Sequence, residues 1–119
     1  MKKFEDCLAW QKARELNELI YRMSAESSFS KDWALADQIR RAVGSAMHNI
    51  AEGFDSGSDA EFMRFLRYSF RSAGEVQSQL YAALDLGYIS QIQFDENYAM
   101  CVEVKNTTAG LIKYLKTSQ

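Results

Sequence analysis

Three arginines, Arg64, Arg67 and Arg71, recur at spacings of three and four, with no acidic residue between Glu61 and Glu75. At about 100° per residue they fall on one face of a helix. Planar guanidinium forks suit phosphate oxygens, so this face reads as a contact for a nucleic-acid backbone. The plainer alternative is a solvated face whose charges pair with acids on another helix. A second set, Arg41, Ser45, His48 and Glu52, is spaced four, three and four, with Arg40 and Asn49 on its flanks. It could hydrogen-bond across a subunit interface or to a ligand, or form a local network in which His48 and Glu52 are an i,i+4 pair. A third set, Trp10, Arg14, Asn17 and Tyr21, shares one helical face. Aromatics placed there pack on a neighbouring helix, which in an oligomer can belong to another subunit; base stacking is the other use for such rings.

Catalytic constellations are sparse. A di-iron bundle needs Glu-x-x-His pairs on two helices, and the chain has one histidine. A zinc site needs more His and Cys ligands than the chain can gather, and no glycine-rich phosphate loop is present. No catalytic residue, metal or cofactor is therefore expected. One spacing stands apart: Arg41 and His48, six residues intervening, resemble the Arg-x(4–6)-His signature of HEPN ribonucleases, which are helical bundles. That reading makes Arg41 and His48 a metal-independent ribonuclease pair.

Four amphipathic helices must carry these residues. The first runs from about Asp6, a plausible N-cap, to Ala25, with Ala9, Ala13, Leu16, Ile20 and Met23 as its apolar stripe. Glu26 to Lys31 holds three serines without periodicity and reads as a loop. The second helix spans about Asp32 to Phe54 on a stripe of Ile39, Val43, Ala46, Ile50 and Phe54. Ser58 and Glu61 then form a capping-box signature for the third helix, about Asp59 to Leu86. Phe62, Leu66, Ser69, Ala73, Val76, Leu80 and Ala83 form its stripe, and Gly87 supplies a positive-φ stop. The fourth begins near Gln91 and presents Phe94, Tyr98, Cys101, Val102, Thr108, Leu111, Ile112 and Leu115, with Gly110 a weak point. Short links between such helices predict a single all-α domain over 1–119, an antiparallel up-down four-helix bundle.

Composition agrees with that class. The 119 residues include no proline, 47% are hydrophobic and 25% charged, which fits one domain with a real core. The net charge of −2 excludes a globally basic nucleic-acid binder, so any such site must come from local clustering or from assembly of several copies. Cys7 and Cys101 form no Cys-x-x-Cys pair and read as free thiols. No apolar run approaches the roughly 18 residues of a membrane span, and no signal peptide is recognisable; a cytoplasmic protein without membrane contact is expected.

Several stretches carry a family resemblance: Phe4-Glu5-Asp6 with Trp10-Gln11-Lys12-Ala13, Gln38-Ile39-Arg40-Arg41-Ala42, and Asn49-Ile50-Ala51-Glu52-Gly53. They continue with Glu61-Phe62-x-Arg64-Phe65-Leu66, Leu86-Gly87-Tyr88-Ile89 and Gly110-Leu111-Ile112-Lys113-x-Leu115-Lys116. In order and over nearly the whole chain, they resemble the four-helix-bundle proteins first noted in intervening sequences of bacterial large ribosomal RNA genes. The family includes the accessory protein of diversity-generating retroelements. The resemblance implies an antiparallel four-helix bundle, a ring-like homopentamer, and a partner that is RNA or DNA, a reverse transcriptase or another protein. By resemblance Arg40, Arg41 and Arg64 lie in matched segments; Arg67 and Arg71 extend their face by helix geometry alone. The chain departs from the family at Ser45-Ala46-Met47-His48, where relatives carry Ser-Ile-Pro-Ser. Without the proline the second helix should run straighter, and His48 stands outside the family pattern.

The first reading is thus a non-catalytic, homo-oligomeric scaffold, pentameric by resemblance. It would hold nucleic acid through Arg40, Arg41, Arg64, Arg67 and Arg71, with Trp10, Arg14, Tyr21, His48, Asn49 and Glu52 at subunit or partner contacts. The alternatives are the Arg41–His48 ribonuclease and a purely protein-binding adaptor built on Trp10 and Tyr21.

Overall fold

Each apolar stripe becomes one wall of a common core. A computed structural model describes residues 1–118, apart from the side chain of residue 27. A 3-10 turn (Phe4–Asp6) leads into α1 (Leu8–Ser24), followed by α2 (Ser27–Lys31), α3 (Trp33–Phe54), α4 (Asp59–Asp85) and α5 (Gln91–Thr117). The described residues are helical or in short links, with no strand. α1 packs on α3 and α5, α3 on α4, and α4 on α5, so the four long helices close a ring of contacts around one core.

The periodic positions drive this packing. Ala13, Leu16 and Ile20 of α1, Ile39, Val43, Ala46 and Ile50 of α3, and Leu66, Ala73, Val76, Leu80 and Ala83 of α4 are fully buried. Burial of each large side chain stabilises the fold by roughly 1.5–3 kcal/mol. On α5 the seam differs from the expectation. Val102 is exposed, while Asn97 and Val104 are buried, so Phe94, Asn97, Cys101, Val104, Thr108 and Leu115 keep a three-four rhythm. The polar Asn97 sits in that rhythm with its Nδ2 donating to the Gln93 carbonyl at 2.8 Å and its buried Oδ1 without a partner among the described residues.

The helix ends follow cap chemistry, with three corrections. Asp32 Oδ1 accepts from Leu35 N at 3.1 Å and starts α3; Ser58 Oγ accepts from Glu61 N at 3.2 Å and starts α4. Gly87 sits at φ 75°, where a side chain would be strained. Asp6, however, does not cap α1: its Oδ2 accepts from the backbone amides of Lys2 and Lys3 and so closes the 3-10 turn. Glu61 does not complete the box with Ser58, because its carboxylate is drawn to Arg64 at 2.8 Å. The expected loop at 26–31 holds the short helix α2. It is kept in place by Phe29, which is fully buried and lies 5.6 Å from the Tyr88 ring.

α3 and α4 approach closely because small residues face one another. Ser69 Oγ donates to the Ala46 carbonyl at 2.6 Å and Ser72 Oγ to Ser45 Oγ at 2.9 Å. A Cβ on Gly53 would lie 2.7 Å from Phe65 Cβ. With no proline in the chain, α3 runs unbroken through 45–48.

Candidate nucleic-acid interface

Charge along the last two helices is segregated, and their pairing brings like halves together. Residues 62–74 of α4 contain three arginines and no acid; residues 104–118, most of them in α5, contain three lysines and no acid. Lys105 Nζ donates to Gln77 Oε1 at 3.0 Å, and Tyr81 packs tilted against Phe94 with ring centres 4.8 Å apart. A groove lower down is lined by Arg67, Phe70 and Arg71 from α4 and by Ala109 and Ile112 from α5. These contacts run in opposite directions along the two helices, so the arginine half of α4 lies beside the lysine half of α5.

The groove has a volume of about 260 Å³ and an apolar floor. Arg67 and Arg71 are exposed on its rim and form no ion pair among the described residues. Lys105 Nζ lies 4.9 Å from the centre of the Phe70 ring, a cation–π contact that fixes both at the edge of the groove. Arg64 is different. Its Nη2 pairs with Glu61 at 2.8 Å, its Nη1 donates to Tyr68 Oη at 3.0 Å, and its guanidinium covers the Phe65 and Tyr68 rings. The Arg64 guanidinium also holds the Glu61 carboxyl below the usual range by its hydrogen bond and charge. Arg64 therefore carries a neutralised charge, while the adjacent half of α5 carries Lys105, Lys113 and Lys116.

The other candidate residues are scattered over the molecule. Arg40 is half-buried: its Nε donates to Ser24 Oγ at 2.8 Å, its Nη2 to the Tyr21 carbonyl at 3.4 Å, and it lies over the Tyr21 ring. These bonds satisfy a carbonyl near the end of α1 and tie α1 to α3, so Arg40 serves packing rather than phosphate contact. Arg41 is exposed but its Nε pairs with Asp37 at 2.8 Å. Asn49 spends both donors inside the fold, on the Ser45 carbonyl at 2.8 Å and Ser45 Oγ at 2.9 Å, and so belongs to the α3–α4 seam. His48 and Glu52 are exposed, and no hydrogen bond or ion pair joins them among the described residues. His48 stands seven positions from Arg41, about 10 Å along the helix axis.

The aromatic face of α1 also resolves differently. Trp10 is only 8% exposed, belongs to the core and packs edge-on against Phe4 at 5.1 Å. It presents no free ring to a partner, whereas Arg14 and Tyr21 stay on the surface. The exposed tryptophan is Trp33, at 75%. Sequence reasoning passed over it because it lies outside the α3 stripe, six positions before Ile39, which was itself the signal that it would face outward. Lys105 was missed for a similar reason: charge was read one helix at a time. Among the described residues no group of three or more His, Cys, Asp and Glu converges as a metal would need, and no helix is long and apolar enough to cross a membrane.

Comparison with known proteins adds a family and a fold. The family model described as 23S rRNA-intervening sequence protein matches residues 5–110. No curated protein sequence matches the chain. Among solved structures, a protein of unknown function from the S23 ribosomal protein family of Bacteroides thetaiotaomicron VPI-5482 superimposes with a TM-score of 0.81. It is 23% identical, and the match covers 89% of this chain and 99% of that one.

Proposed function

The chain belongs to the 23S rRNA-intervening sequence protein family, and from that premise we propose that it is a non-catalytic scaffold that binds nucleic acid along the basic half of α4 and α5. The arrangement we infer for it is an antiparallel up-down four-helix bundle that assembles as a homo-oligomer, a pentamer by the resemblance described above. Helical links of a few residues and extents of 47 × 20 × 19 Å support the bundle. The observation that carries the binding reading is the set of five cations, Arg67, Arg71, Lys105, Lys113 and Lys116, that stand on two adjacent half-helices with no ion pair among the described residues. Acids elsewhere on the molecule outweigh these cations and bring the net charge to −2, so the local field differs from the overall one. Phosphates would meet Arg67, Arg71 and the lysines of α5, while Phe70 and Ile112 offer an apolar floor to a sugar or base edge. RNA is the first ligand to test, since the family is named for an RNA insertion; DNA and a nucleic-acid enzyme are the other partners.

The ribonuclease alternative gains no support from the geometry, because His48 stands about 10 Å along the helix from Arg41 and no hydrogen bond or ion pair orients it among the described residues. Titration of short RNA and DNA against the full-length chain at several salt concentrations tests the proposal. Binding should weaken steeply with salt, and the Arg67→Glu/Arg71→Glu pair should lower the salt slope by roughly one for each phosphate that is no longer neutralised. Binding untouched by that double change would refute it.

A further inference from the structure

A cavity of about 450 Å³ lies where the end of α1, the short α2 and the first turns of α3 meet, lined by Ser24, Ser30, Trp33, Asp37, Arg40 and Arg41. Its volume falls within the roughly 300–1,000 Å³ of small-molecule sites. Trp33, Asp37 and Arg41 stand four residues apart on α3 and so share one row along the cavity wall. We propose that this cavity takes a guanine nucleotide, free or as an unpaired residue of a strand, with the base on Trp33, its donor edge on Asp37 and its phosphate on Arg41. This deepens the nucleic-acid reading and rests on it for the strand-borne form.

Each wall supplies one element of that recognition. Trp33 is 75% exposed and leaves an indole face open for base stacking. Asp37 uses Oδ2 for Arg41 at 2.8 Å, and Oδ1 has no hydrogen bond among the described residues. Among the bases, guanine sets an N–H and an amino group side by side, the pair of donors a carboxylate can accept together. Arg41 is anchored through Nε alone, so its terminal nitrogens remain available to a phosphate. Arg40 is held at the back of the cavity by Ser24 and the Tyr21 carbonyl, adding a positive charge that does not have to be ordered on binding. The cavity lies on the α1–α3 side of the bundle, across from the α4–α5 groove, so the two sites can be tested separately.

Titration of the full-length chain with GMP, AMP and UMP at low ionic strength, read by tryptophan emission, tests this. The chain has two tryptophans and Trp10 is buried, so quenching reports on Trp33. GMP should quench saturably in the millimolar range or below, with AMP and UMP about tenfold weaker or more. Asp37→Asn should abolish the preference for GMP, and Arg41→Gln should weaken all three nucleotides. An oligouridine with one central guanosine, compared with the all-uridine strand, shows whether the strand-borne form is taken as well. Equal quenching by the three nucleotides, a GMP preference that survives Asp37→Asn, or no saturable quenching overturns the proposal. So does Trp33 emission that shifts to the blue with protein concentration and no longer responds to GMP, since a second copy would then cover the cavity. GMP quenching that persists while oligonucleotide binding ignores Arg67→Glu/Arg71→Glu defeats only the α4–α5 reading; the reverse pattern defeats only this one.

Discussion

Replacing Gly53 with alanine tests what sets the separation of α3 and α4. A Cβ at this position would sit 2.7 Å from Phe65 Cβ, 3.0 Å from Phe62 Cδ1 and 3.3 Å from the Phe62 carbonyl oxygen. The first and third of these atoms are fixed to the α4 backbone, so no rotamer change relieves them, and the helices must move apart. Overpacking of this kind costs about 1–3 kcal/mol. The helix-propensity gain of alanine over glycine, up to ~1 kcal/mol, opposes it, but position 53 is next to last in α3 and realises only part of that gain. The expected net loss is about 1–2 kcal/mol, or roughly 4–8 °C in Tm for a domain of this size. Gly110 is the internal control. It lies inside α5 with nothing within 4 Å of its built Cβ, so Gly110→Ala should raise stability by about 0.5–1 kcal/mol. Thermal and urea unfolding followed by far-UV circular dichroism, at one protein concentration because assembly would shift apparent stability, compares the two. If Gly53→Ala proves as stable as the parent with an unchanged urea slope, the spacing of α3 and α4 is not set by this glycine.

Two further outcomes follow. The Tyr88 phenol, donating to Asp32 Oδ2 at 2.9 Å, is raised above its ordinary pKa chiefly by that hydrogen bond, and burial pushes the Cys101 thiol up to about 12. Both groups are neutral when protonated, so the stability they contribute is present below their unfolded values of about 9–10 and fades as pH climbs through the folded ones. Tm should therefore fall from about pH 9 towards 12, less steeply in Cys101→Ala and Tyr88→Phe; parallel curves for parent and variants would contradict this. The two tryptophans should also separate cleanly: Trp10→Ala should cost about 3–5 kcal/mol as a core truncation, whereas Trp33→Ala should stay within about 0.5 kcal/mol, both read from urea midpoints.

Most of the candidate surface changed character once its neighbours were in place. Arg40, Arg41 and Arg64 belong to the motif segments that carry the family resemblance, yet each is engaged, by Ser24 and Tyr21, by Asp37, and by Glu61 respectively. Arg67 and Arg71, which no motif picked out, form no ion pair among the described residues, and Arg41 keeps only its terminal nitrogens free of Asp37. A spacing argument places a residue on a face; it does not say whether that residue's charge is already answered. Short i,i+3 and i,i+4 pairs such as Glu61–Arg64 and Asp37–Arg41 were within reach of a sequence reading, because both partners lie on one helix. The Arg40–Ser24 and Lys105–Gln77 bonds were not, because they join positions sixteen and twenty-eight residues apart.

What the amino-acid order determined by itself was local: where the long helices lie, which stripe α1, α3 and α4 bury, and that Asp32, Ser58 and Gly87 punctuate them. The stripes of α1, α3 and α4 and these caps are properties of one helix and its next few residues, so periodicity and side-chain reach are enough to read them. Tertiary structure alone decided what covers the residues beside the stripes. Trp10 was buried by the 3-10 turn folding Phe4 against it, and Phe29 by docking against Tyr88. Trp33 was left in the open, and the basic halves of α4 and α5 were brought side by side. Burial and pairing at such positions depend on which neighbour arrives across the core and in which direction it runs, and that follows from the packing of all the helices at once.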